Sequence, residues 1–156
     1  YQEQHDFRSV FGLLGNLYGP GDTLDTGRAH VVAALIMRCL SAPDVLEVWG
    51  SGRATREHLF VEDAADGLLA LARHDTPEPL NIGTGREVSI AELAKAIVAA
   101  TGFEGELRFD PSKPDGQPRK VMDCGLAERL IGWTAPTSLE EGLAKTVSWY
   151  EEQLGC

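Results

Sequence analysis

His30 stands at the head of a helical pattern, beside a stretch rich in turn formers. An imidazole there can move protons near neutral pH, or it can cap the helix or lie on the surface. Nothing nearby in the sequence supplies a nucleophile or a metal partner. Arg38, Arg53, Arg56, Lys113, Arg119 and Lys120 lie in or beside loops. In an acidic chain such a set either converges on one phosphate-bearing ligand or is scattered for solvation. Trp49, next to Gly50-Ser51-Gly52, can stack on a base or sugar ring, or end a strand as core.

Two glycine patterns imitate dinucleotide fingerprints, and both fail on context. Gly12-Leu13-Leu14-Gly15-Asn16-Leu17-Tyr18-Gly19 follows a strand pattern but runs into Pro20-Gly21, with no helix whose amides would face a pyrophosphate. Gly83-Thr84-Gly85-Arg86-Glu87-Val88 leads into a helix but lacks the third glycine that lets helix and strand pack closely.

The formal charge is −10, from 14 Lys and Arg against 24 Asp and Glu. That balance excludes a general nucleic-acid or anionic-membrane binder, which needs a broad basic surface. It leaves room for one local anion pocket. Cys39, Cys124 and Cys156 form neither a zinc spacing nor a secreted disulfide framework, so no metal is expected and a reducing cytoplasm fits best. No apolar run approaches a membrane span. The first residue is Tyr1, and a piece of a longer or processed protein is the expectation.

These residues need an α/β frame to hold them. Residues 7–14 read as a buried strand, and the turn formers of 16–22 as a loop at its carboxyl end. Val32, Leu35, Ile36 and Cys39 recur at helical spacing within 29–40. Residues 45–49 alternate like a strand, and with 57–61 across the glycine turn they predict a hairpin. Residues 63–73 read as a helix and 80–82 as a short strand. Ser89 with Glu92, and Ser138 with Glu141, have capping-box spacing and open two helices, the first stopped by Gly102. Residues 106–109 read as the final strand, followed by a loop with three prolines over 110–118 and a short helix.

Four ordered segments carry a likeness: Asn16-Leu17-Tyr18-Gly19-Pro20-Gly21-Asp22, Arg56-Glu57-His58-Leu59-Phe60-Val61-Glu62-Asp63, Asn81-Ile82-Gly83-Thr84-Gly85 and Lys113-Pro114-Asp115-Gly116-Gln117-Pro118-Arg119-Lys120. Over about residues 7–150 the chain resembles the carboxyl-terminal half of extended short-chain dehydrogenase/reductases, the NAD-dependent epimerase/dehydratase family, that act on nucleotide sugars. The resemblance implies one carboxyl-terminal portion over 1–156: late parallel strands of a Rossmann sheet plus a small α/β nucleotide-sugar-binding lobe, the cofactor-binding half being elsewhere. It implies NADP(H) or NAD(H) in a complete, homodimeric enzyme, with no tight cofactor binding by this chain alone.

Carried over by resemblance, Asn16 and Leu17 sit at the nicotinamide end of the cofactor. His30 becomes the proton-transfer residue of an epimerase and a cofactor neighbour, while Arg38, Trp49, Arg56 and Lys113 surround the nucleotide diphosphate or its base. The family's Tyr-x-x-x-Lys pair is not in this chain: four residues after Tyr1, Tyr18 and Tyr150 stand His5, Asp22 and Leu154. Cys39 and Cys124 do not match the family's catalytic cysteine. Leu14-Gly15, Ala33 and His58 depart from the family pattern, His58 replacing a common Phe. The implied activity is epimerisation and reduction of a GDP-4-keto-6-deoxymannose-type sugar. The alternatives are another nucleotide-sugar 4-epimerase or 4-ketoreductase, or a non-catalytic domain that binds a nucleotide sugar or a partner.

Overall fold

Local signals set the helices. Ser89 accepts the Glu92 backbone N–H while the Glu92 carboxylate accepts from Ser89, and Ser138 and Glu141 repeat the exchange. Each box satisfies donors that a helix start otherwise leaves orphaned. Gly102 closes the first of these helices in the left-handed conformation, at φ 63°.

The computed structural model of the chain describes residues 2–25, 27–76 and 78–155. Its elements in chain order are α1 (Gln2–His5), β1 (Gly12–Leu14), β2 (Leu17–Tyr18), α2 (Val31–Leu40), β3 (Val45–Trp49), β4 (Thr55–Arg56), β5 (Leu59–Phe60), α3 (Val61–Ala72), β6 (Leu80–Ile82), β7 (Val88–Ser89), α4 (Ile90–Thr101), β8 (Glu106–Asp110), β9 (Arg119–Lys120), α5 (Gly125–Ile131) and α6 (Leu139–Leu154). Cys156 lies outside the described residues. No helix among the described residues is long and apolar enough to cross a membrane.

The fold is α/β with mostly parallel pairing. β1 pairs with β6, β2 with β5 and β3 with β8, all parallel, and β4 lies between antiparallel β7 and parallel β9. Two apolar cores result. One joins α2, α4 and α6 through Ile36, Ile97, Leu143 and Tyr150, and the other gathers Leu71, Leu80, Ile82 and Ala127 under α3 and α5. β5 divides them, because consecutive strand residues point to opposite faces: Leu59 enters the second core and Phe60 the first.

Three expectations change. The first strand is three residues long, and Leu13 is 54% exposed: among the described residues β1 has a single strand neighbour, and the α3 side chains Leu68 and Leu71 lie against Gly12, whose successor Leu13 faces the other way. The hairpin does not form. β3 instead pairs along its whole length with β8, from Val45 with Glu106 to Trp49 with Asp110, while the segment after Gly50 and Gly52 (φ 87° and 76°) turns away to β4. Alternation reports the period of a strand and not its partner. Finally, β8 is not the last strand, since β9 follows it on the edge of β4.

Candidate functional site

α2 presents His30, Ala34 and Arg38 at four-residue spacing, hence on one face, and that face borders a cavity of about 1050 Å³. His30 occupies the N-cap position, yet its side chain makes no capping bond, and the ring stands exposed at the cavity's rim. The same cavity is lined by Asn16, which precedes β2, Leu17 of β2, Trp49 from the end of β3, Arg56 from the end of β4, and His58 from the short link between β4 and β5. Six of the seven residues singled out for binding or catalysis thus share one hollow. The seventh, Lys113, holds its Nζ 5.7 Å from the centroid of the Trp49 ring.

The basic set separates into groups. Neither Arg38 nor Arg56 has a carboxylate within ion-pair distance among the described residues. Arg119, by contrast, donates to Glu87 at 2.9 Å, Arg53 donates to Ser51, and Lys120 reaches the Asn16 side-chain oxygen at 3.5 Å. The guanidinium of Arg56 donates to the Thr55 carbonyl at 2.7 Å, which fixes it beneath the turn at Gly116. Trp49 is 64% exposed, so its ring is not core but a free face at the cavity edge.

Three residues give the site its shape without any motif marking their roles. Glu57, 2% exposed, points away from the cavity and accepts backbone N–H groups from Thr84, Gly85 and Met122. This buried carboxylate ties the Arg56 strand to two remote segments. Asp115 accepts from the Ser51 backbone N–H at 2.6 Å and from its hydroxyl at 2.8 Å. Those bonds hold the Asp115 carboxyl below the usual aspartate range and dock the proline-rich loop against the glycine turn. His58 is buried beside Arg56, and burial, with the Arg56 charge second, pushes its pKa down to about 4. For Glu57 and His58 the advance signal for orientation was alternation, since in Arg56-Glu57-His58 the outer two residues share a face that the middle one leaves; no such signal marked Asp115.

Asn16 is held by its own bond to the Glu57 carbonyl, at 3.0 Å. Tyr150, buried on α6, donates to the Thr23 carbonyl at 2.9 Å and so pins the loop that leads to His30. Burial, helped by Asp22, pushes that phenol up to about 12. The glycine runs do not build a dinucleotide diphosphate site. Gly12 and Gly15 lie on and just after β1, which leads into another strand, and the turn at 83–85 leads through β7 to an α4 start already occupied by its capping box.

The chain is similar to known proteins over nearly its whole length. The family model described as NAD dependent epimerase/dehydratase matches residues 1–83. GDP-L-fucose synthase 1 of Arabidopsis thaliana is 42% identical over 155 residues, 96% of this chain and 48% of that protein. The crystal structure of a Naegleria fowleri GDP-L-fucose synthetase bound to NADP superposes with a TM-score of 0.84 at 32% identity, covering 96% of this chain and 48% of the other. The UDP-glucose 4-epimerase of Thermotoga maritima, solved with UDP-glucose, gives 0.86 at 30% identity, covering 98% and 49%. The chain spans about half the length of the curated relatives it matches.

Proposed function

Because the chain belongs to the NAD-dependent epimerase/dehydratase family, we propose that it is the nucleotide-sugar-binding part of an NADP(H)-dependent epimerase/reductase acting on a GDP-4-keto-6-deoxymannose-type sugar. The observation that carries this reading is the sharing of one cavity by two guanidiniums without carboxylate partners and an exposed indole. Arg38 and Arg56 suit a diphosphate, which planar guanidiniums bind by paired hydrogen bonds. Trp49, with Lys113 over its ring, suits the base end.

His30 is the proton-transfer residue in this reading. Eight residues of helix, about 12 Å, separate it from Arg38, which leaves room for a sugar between the imidazole and the diphosphate. Its side chain, free of capping bonds, can exchange a proton at one face of the carbon beside a sugar ketone, and the group that serves the opposite face is not assigned to this chain. Asn16 and Leu17 would meet the nicotinamide, which supplies hydride when bound. No reduction step is assigned to this chain. Its glycine runs do not fit a cofactor diphosphate, and the Tyr-x-x-x-Lys pair is not among its residues.

The chain accordingly stands as the carboxyl-terminal portion of the enzyme. The exposed apolar residues Phe11, Leu13 and Leu14 beside β6 support an extension of that two-stranded sheet by the cofactor-binding half. Calorimetric titration of the 156-residue chain with GDP, UDP and GDP-mannose tests the reading. Saturable binding weakened about tenfold or more by Arg38→Ala or Arg56→Ala is expected, the size of a lost charged hydrogen bond. No saturation by any of the three ligands would overturn it. No NADPH oxidation is expected when this chain alone meets a 4-keto nucleotide sugar.

A further inference from the structure

One side chain bordering the cavity is neither charged nor satisfied. His58 is 7% exposed, and its Nε2 has no hydrogen-bond partner among the described residues. A buried polar atom left unpaired costs stability, and a ring serving packing alone would do better as an apolar one. Tyr18 does not resolve the matter. Its ring meets the imidazole edge-on at 6.4 Å, but its hydroxyl is turned to the Leu139 carbonyl.

The position of His58 in the wall is set by the strands. Leu17 pairs with Leu59, and the Leu59 backbone N–H donates to the Asn16 carbonyl at 2.8 Å, so Asn16 lies beside His58 on the neighbouring strand. Along the segment that joins β4 to β5, Arg56 and His58 border the cavity while Glu57 is used on the other side. His58 therefore falls between Asn16 and Arg56. Burial and the Arg56 charge keep its ring neutral, with one donor and one acceptor nitrogen. Rotation about its Cβ–Cγ bond turns the ring's edge without moving the backbone. A neutral group of this kind, next to guanidiniums suited to a diphosphate, is matched to an uncharged polar substituent.

We infer that His58 is a specificity-determining residue which exchanges a hydrogen bond with a hydroxyl of the sugar ring. The inference rests on the nucleotide-sugar reading above and adds to it the group that reads the sugar. It also gives a use to a buried imidazole that packing alone would not select: the cost of a buried unpaired nitrogen in the free protein is recovered when sugar arrives.

Titration of GDP and GDP-mannose into the wild-type chain, His58→Phe and His58→Gln tests this, with urea unfolding of each as a control of folding. Wild type should bind GDP-mannose more tightly than GDP. His58→Phe should keep its GDP affinity within about twofold and lose about tenfold for GDP-mannose, one hydrogen bond's worth. His58→Gln should recover most of that loss, and His58→Phe should be at least as stable as wild type. Equal affinity of wild type for both ligands, an unchanged GDP-mannose affinity in His58→Phe, or parallel loss of both ligands would each overturn the inference while leaving nucleotide-sugar binding standing. Failure of wild type to bind either ligand would overturn both.

Discussion

Glu57 accepts the backbone N–H of Met122 at 2.9 Å across 65 residues of sequence. Its other oxygen takes the N–H groups of Thr84 and Gly85, at 2.9 and 3.1 Å. The strand that carries Arg56 and His58 is thereby fastened from behind, by a carboxylate that never faces the cavity.

Replacing Glu57 with Ala leaves three backbone donors without their acceptor. Each unsatisfied buried donor costs about 1–3 kcal/mol, so a loss of roughly 2–5 kcal/mol is expected once the structure relaxes. Glu57→Gln should recover little, because its amide presents N–H to donors on one side. Urea unfolding measures both. A Glu57→Ala midpoint equal to wild type would mean that the carboxylate fastens nothing.

Asp115 anchors the 110–118 loop to Ser51, and Lys113 lies over Trp49 from that same loop. In Asp115→Ala, amide exchange across residues 112–118 should quicken about tenfold, following the loss of the anchoring bonds. GDP affinity should fall about three- to tenfold as Lys113 and Trp49 lose their common placement. Unaltered exchange would show that the prolines alone order the loop.

Gly142 sits inside α6, where Ala would ordinarily stabilise a helix by up to about 1 kcal/mol. Here an added Cβ would fall within the Tyr18 hydroxyl and lie 3.1 Å from Phe60. Overpacking costs about 1–3 kcal/mol and outweighs the propensity gain. Gly142→Ala should therefore melt below wild type, and melting above it would count against this packing. Burial, with Asp63 and Glu140 adding to it, raises the Tyr18 phenol well above its ordinary range, so this contact persists at alkaline pH.

His58 should make the chain sensitive to mild acid. Unfolded, it takes up a proton near 6.5, whereas in the native state burial and Arg56 delay uptake to about pH 4. Between those values the unfolded state binds more protons, so stability falls as pH drops through that window. The total is on the order of 3 kcal/mol. His58→Phe should lack this component. Parallel stability profiles for wild type and His58→Phe between pH 7 and 4 would contradict it.

The helices were legible because their signals are local. Ser89 with Glu92 and Ser138 with Glu141 are three residues apart, and Gly102 stops α4 where the apolar stripe ends. The strands were read less well. β4, β5 and β9 are two residues long, too short for a period to show, and β3 disclosed its alternation while its partner β8 lay some sixty residues away. The run over 7–14 looked buried because it is apolar, yet Leu13 is exposed, since burial depends on what covers a sheet.

The amino-acid order by itself determined the residue types of the site and the family likeness carried by four short segments, and through capping and periodicity it determined where α4 and α6 begin. Only the tertiary structure decided that Arg38 and Arg56 share a hollow with Trp49 while Arg119 is spent on Glu87, that Glu57 turns inward, and that His58 is left with an unpaired nitrogen. The physical reason is that helix starts are settled by bonds within one turn, whereas these side chains are placed by parallel pairings whose partners are far apart in sequence.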